Sequence, residues 1–201
     1  MRKKYNVRAV FIIAALTILP LVLFAQSTKW TNDKAHTSVK FEVGHLGVSL
    51  IAGQFMDFEG YMLSDKADFT DAKIDFTIQT KSVNTNVEMR DKDLRSENFF
   101  DAAKYPEMTL KSVSFNKEKS GRYILAGDLT IKDVTKPVKF HVTSHSTITD
   151  PWGNTRTGFR AELLINRFDY HINYKETFGD HMPDIAQDVK IIIDTELTKA
   201  K

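Results

Sequence analysis

Tyr123-Ile124-Leu125-Ala126-Gly127-Asp128-Leu129-Thr130-Ile131, followed by Lys132-Asp133 and then Val134-Thr135-Lys136-Pro137-Val138-Lys139-Phe140-His141-Val142-Thr143, decides the fold. Tyr123, Leu125, Gly127, Leu129 and Ile131 share one parity, with Asp128, Thr130 and Lys132 on the other; Ile124 and Ala126 are milder exceptions. After the turn signal, Val138, Phe140 and Val142 alternate with Lys139, His141 and Thr143. A period of two means a strand with one buried face and one wet face, the pattern of an antiparallel sheet.

The same period extends in both directions. Val39, Phe41 and Val43 carry it near the start, then Ala72, Ile74, Phe76 and Ile78. Phe159, Ala161, Leu163 and Ile165 carry it later, and Val189, Ile191 and Ile193 close the series. Two further strands have a flaw. Within 48–62, Gly53 interrupts and Phe55 and Phe58 lie three apart; within 108–115, Leu110 and Val113 are similarly out of step. Both patterns predict a bulge or bend. Between the third and fourth of these eight strands, Val87, Arg90, Asp91 and Leu94 fit one face of a helix. Asn86 is placed to cap it, Phe99 to Ala103 reads as another helical turn, and Pro106 ends the insertion. The expected fold is all-β: an eight-stranded antiparallel barrel with a short helical insertion. Eight strands enclose an interior that is either filled by side chains or holds one small ligand. Periodicity does not choose between them.

Of 201 residues, 42% are hydrophobic and 27% charged, which is the composition of a folded chain, and there is no cysteine. The formal charge of +2 conceals an asymmetry: Arg2, Lys3, Lys4 and Arg8 precede the apolar run Val10 to Phe24, with no acid beside them. Without those four bases the body is slightly acidic, so nucleic acid is not an expected partner. A basic start, an apolar run and small Ala25 make the pattern of a secretory signal. The run is interrupted by Thr17 and Pro20 and is short for a spanning helix. We therefore expect residues 1–25 to be a signal peptide cleaved near Ala25, and 26–201 to be one exported domain with no stable membrane span.

Chemistry-bearing residues are few. His141 and His145 lie four apart on a strand, too far for one metal, and their parity puts them on the wet face. His171 and His181 have Asp180 and Asp184 as candidate partners. His36 opens the first strand; His45 follows Gly44 with the inward parity of Phe41 and Val43, so each is a head-group contact or a hydrogen-bonded structural histidine. Arg90 and Arg167 carry a guanidinium suited to an anionic group or to pairing with a nearby Asp. No nucleophile elbow, phosphate loop or metalloprotease motif occurs. The expectation is no catalytic residue, no metal and no cofactor, hence not an enzyme. The alternatives are a filled structural or partner-binding barrel and a hydrolase built on His36 and His45.

His36-Thr37-Ser38-Val39-Lys40-Phe41-Glu42-Val43-Gly44-His45-Leu46-Gly47 with Gly53-Gln54-Phe55 resembles the opening of the YceI-like family of polyisoprenoid-binding proteins. Similar too are Ser82-Val83-Asn84-Thr85, Arg90-Asp91-Lys92-Asp93-Leu94-Arg95-Ser96, Phe99 to Pro106, Gly127 to Ile131 and Val134 to Val138. The resemblance implies a lipocalin-like barrel exported to the periplasm. Such a barrel encloses a long-chain isoprenoid, of polyprenyl phosphate or quinone type, in an apolar tunnel for storage or transport. It further implies a lining of Phe41 and Val43, Phe55, and Phe76 and Ile78 from the first three strands. Leu94, Phe99 and Phe100 would join from the insertion, and Leu125, Leu129, Phe140 and Phe159 from the later strands. His36, His45, Arg90 and Arg167 are then head-group candidates. The match is weakest over Phe168 to Gln187. Apolar exterior positions such as Ile124, Leu164 and Ile192 make a homodimer conceivable.

Overall fold

The computed structural model describes residues 27–174, 177–178 and 182–200, with the backbone alone at 177–178 and 182–183. The expected leader with its cleavage point lies outside these residues, as do His181 and the side chains of Phe178 and Met182.

The decisive hairpin forms as its alternation requires. β8 (Tyr123–Ile131) pairs with β9 (Val134–Ser144) in register from Tyr123↔Val142 to Ile131↔Val134, around a two-residue turn in which Lys132 takes a φ of 55°. Before it come β1 (Lys29–Asn32), β2 (Ser38–His45), β3 (Ser49–Phe55), β4 (Phe58–Leu63), β5 (Lys73–Gln79), a short β6 (Val83–Asn84), helix α1 (Glu88–Arg95) and β7 (Glu107–Lys117). After it come β10 (Ile148–Thr149), β11 (Thr155–Asn166), β12 (Thr177–Phe178), β13 (Met182–Pro183) and the long β14 (Ile185–Lys199).

β14 closes the wall. One edge pairs with β11 from Asp188 to Thr198; the other pairs with β2 over Ile185–Asp194 and with β1 over Leu197–Lys199. β1 and β2 thus share one place in the wall. β3 and β4 share the next as halves of a strand broken at Met56–Asp57, the bend that Phe55 and Phe58 foreshadow. Around the ring follow β5, β7, β8, β9 and β11. The result is a closed eight-stranded antiparallel barrel with one short helix. β7 carries the other bulge, a register shift between Ser112 and Ser114 that turns Val113 outward.

Two local expectations are corrected. Asn86 does not cap α1: it sits at φ 62°, its N–H is taken by the Asn84 Oδ1, and Val87 holds the cap position without a side-chain bond. The anchor is Asp91 instead, a buried carboxylate that accepts from the Thr85 N–H at 2.8 Å and the Thr85 hydroxyl at 2.6 Å. Phe99 to Ala103 forms hydrogen-bonded turns, not helix; Phe100 N donates to Leu94 O and Ala102 N to Arg95 O.

The barrel has an upper end, where β2 reaches His45 and α1 lies, and a lower end, where β1 and the C-terminal half of β14 meet. The lower end is filled. Loop 64–72 turns Phe69 into it at φ 57°, where the ring meets Trp30 at 5.3 Å and Phe159 at 5.4 Å, both edge-on. Phe115 stacks on Tyr123 at 4.7 Å beside them, and the Tyr123 hydroxyl donates to Asp68 O, tying the loop to the wall.

Candidate functional site

The upper half encloses a cavity of about 830 Å³, near the top of the usual ~300–1,000 Å³ range for ligand pockets. Its walls follow from the inward parities. β2 contributes Val39, Phe41, Val43 and His45, and β14 contributes Val189, Ile191 and Ile193. Phe55 stands beside them on β3, and Phe76, Ile78 and Leu129 complete the wall from β5 and β8. Leu94, Phe99 and Phe100 from α1 and its following turns close the side where β3 has left the ring.

Two rings of this wall rest on glycines of the neighbouring strand. Phe41 faces Gly53 across the β2–β3 pair, where an added Cβ would stand 2.3 Å from the ring. Phe76 faces Gly60 across β4–β5, where it would stand 2.2 Å away. A side chain at either glycine would lift the ring from the wall.

Most of the polar lining gathers at the upper end, His45, Arg90, Asp93, Arg167 and Asp184, while Lys40 and Thr109 border the cavity from the less buried parity of β2 and β7. Arg90 is held by Thr85, donating from Nε to the hydroxyl at 2.7 Å and from Nη2 to the carbonyl at 3.0 Å. Thr85 in turn donates to Asp91, so two residues fix one guanidinium at the rim. Arg167 is 4% exposed and donates to three carbonyls: Ala186 O from Nε, Ile172 O from Nη1 and Ile185 O from Nη2. Burial draws its pKa below the usual guanidinium value, and the Asp184 carboxylate opposes that shift. Its structural work is clear: it binds the start of the stretch after β11 to the start of β14. Tyr170 beside it is pushed up to about 12 by burial, with Asp169 adding to the shift.

The expected site residues divide accordingly. Phe41, Val43, Phe55, Phe76, Ile78, Leu94, Phe99, Phe100, Leu129 and Phe140 surround the cavity, as do His45, Arg90 and Arg167. Leu125 and Phe159 do not. They point inward but lie lower, around a second void of about 70 Å³. His36 is at the opposite end altogether, exposed, with Nδ1 2.9 Å from Asp33. The span of β2 alone, about 3.3 Å per residue over Ser38–His45, separates it from His45 by more than roughly 20 Å. A joint site of His36 and His45 is therefore excluded. His171 pairs with Asp133 at 3.1 Å, because the stretch after β11 folds against the β8–β9 turn; Asp180, its other expected partner, lies outside the described residues. Lys136–Asp169 at 3.0 Å and Lys132 Nζ to His171 O reinforce that contact. Ile131, Ile165, Val189, Ile191 and Ile193 also line the cavity and carry the inward parity. Ile172 and Tyr174 line it from an irregular stretch with no period to reveal them.

One cluster outside the cavity has metal-like composition. Asp33, His36 and Glu196 bring ligand atoms within 4.8 Å of one another. Arg156 already sits among them, with Nη1 2.8 Å from Asp33 and 2.5 Å from Glu196, and Nε 2.6 Å from Asp150. The guanidinium takes the place a cation would need.

A closed eight-stranded barrel around an apolar chamber with polar groups at its mouth defines the lipocalin-like class of architecture. The chain belongs to the YceI-like family: the YceI-like domain matches residues 30–197. A UPF0312 protein of Pectobacterium atrosepticum is 36% identical over 177 residues, 88% of each chain. The crystal structure of a Campylobacter jejuni YCEI protein is 29% identical with a TM-score of 0.67, covering 84% of this chain and 96% of that one. A Saccharophagus degradans domain described as polyisoprenoid binding shares the fold at 15% identity and TM-score 0.62, over 85% of this chain and 98% of its own. Among the described residues no helix is long and apolar enough to cross a membrane.

Proposed function

We propose that this protein binds a long-chain isoprenoid, of polyprenyl phosphate or quinone type, with its tail inside the upper chamber, and stores or carries it in the periplasm after export. The observation that carries the reading is the 830 Å³ cavity, whose lower walls are hydrocarbon and whose charged groups sit at the rim, apart from Lys40, whose exposed ammonium is paired with Asp194. A tail buried there gains about 0.8 kcal/mol per methylene taken from water. An ionised group at that depth would cost several kcal/mol. The polyisoprenoid-binding description of the Saccharophagus domain supports the same ligand class. His45, Arg90 and Arg167 are the groups available to a head group at the mouth. The basic and apolar leader favours export.

The test is to express the full chain with its N-terminal segment, purify it without detergent, and analyse the organic extract by mass spectrometry. A stoichiometric isoprenoid is expected. An empty extract, together with no saturable uptake of added prenols, would refute the reading.

A further inference from the structure

The two internal voids are stacked and share four lining residues: Phe76, Leu110, Phe140 and Ile193. Those four form a floor beneath the upper chamber and a roof over the lower void. Phe140 is fully buried. Phe76 is fixed from two sides, with its ring on Gly60 and stacked against Phe58 at 5.8 Å. The floor is therefore a rigid partition. Below it, the 70 Å³ void is walled by Phe115, Leu125, Val142, Phe159 and Ala161, with Asn32 and Thr195 the polar residues on its margin and no charged side chain. An apolar chain end would meet no electrostatic penalty there, only the two rings in its way.

We propose that Phe76 and Phe140 set the length of ligand this protein accepts, by stopping the chain end at the floor of the upper chamber. This rests on the lipid-binding reading and adds to it a residue-level determinant of specificity. Up to the floor, each added isoprene unit is buried and tightens binding; beyond it, added units remain in water and contribute nothing. Opening the partition joins the two voids and moves that limit.

The experiment is displacement of a fluorescent fatty acid by all-trans prenols lengthened one isoprene unit at a time. The parent protein is compared with Phe140→Leu and, as a second opening of the floor, Phe76→Leu. The parent's affinity is expected to rise with length and then level off. In either variant the levelling point moves at least one unit longer. The first prenol past the parent's limit then binds roughly tenfold or more tighter to the variant. Adding Ala161→Leu to Phe140→Leu refills the lower void from the neighbouring strand, where Ala161 pairs with Val142, and returns the limit to that of the parent. The inference is overturned if both folded variants bind short prenols and level off at the parent's length. Failure of the parent to bind any prenol would instead overturn the lipid-binding reading beneath it.

Discussion

The upper and lower halves of this barrel are built from the same alternation and the same residue types, yet one holds a chamber of about 830 Å³ and the other only a void of about 70 Å³. β11 and β14 run the length of both. The difference comes from what the connections insert. At the lower end, loop 64–72 drives Phe69 between Trp30 and Phe159, and only a small void is left beside them. At the upper end, α1 and its following turns are laid against the gap beside β3, so Leu94, Phe99 and Phe100 become wall and not plug. A barrel's interior is thus decided by its loops as much as by its strands.

The largest effect should come from undoing the lower plug. Phe69→Ala removes a buried ring from an aromatic cluster, a change that costs about 3–5 kcal/mol. The left-handed backbone there is unfavourable for Ala as for Phe, since both carry a Cβ, so the exchange recovers none of that. Urea unfolding monitored by tryptophan emission should show the loss. If the variant is as stable as the parent, the lower half is not held by this plug and the contrast between the ends fails.

Arg167 supports the upper end as Phe69 supports the lower. Arg167→Gln leaves carbonyls of Ile172, Ile185 and Ala186 short of donors, worth roughly 2–4 kcal/mol for a set of buried bonds to a charged group. Hydrogen exchange should locate the damage. Faster exchange is expected in Ile172 and Ile185–Val189, with Trp30, Tyr123 and Phe159 amides unchanged. Uniform acceleration would mean that the two halves unfold as one unit.

This division explains how much of the molecule was legible in the sequence. The eight wall positions were, because Val39-Phe41-Val43 and its counterparts impose a period that only a strand satisfies. Even the flaws were, since the Phe55/Phe58 spacing and Val113 mark the break and the bulge. Parity fixes which face a residue presents but not its height along the barrel, so Leu125 and Phe159 read as equals of Phe41 and Phe140 although they lie below the floor. Phe69 carries no signal at all, being the one large apolar residue in an otherwise small and polar loop. Asn86 was misleading because its αL backbone, which Asn tolerates, put it outside the helix it was expected to cap.

At the lower pole, acid should loosen what Arg156 gathers. Bonds from His36 and then Arg156 hold the Asp33 carboxyl at about 2, below its ordinary 3.8. A depressed carboxyl stabilises the fold fully above its ordinary value and loses that contribution as pH falls from about 4 towards 2. Thermal unfolding followed across this range should show a decline in Tm that is shallower in Asp33→Asn. Parallel pH curves for the two proteins would assign the acid sensitivity elsewhere.

The smallest effect is expected where the upper end meets solvent. Val48 and Leu50 on the β2–β3 hairpin and Met89 in the first turn of α1 are 82%, 70% and 82% exposed. They bury little in the folded chain, so Leu50→Ser and Met89→Ser should change stability by no more than about 0.5 kcal/mol. Met89 nevertheless lines the chamber, and Leu50 adjoins Ile51, which does too. Stability and ligand uptake should therefore separate at this lip: unchanged unfolding midpoints, with slower transfer of a prenol from vesicles to the protein. A Phe69-sized loss of stability in either variant would show that the lip is part of the packed core. The hollow end would then depend on its rim as the solid end depends on its plug.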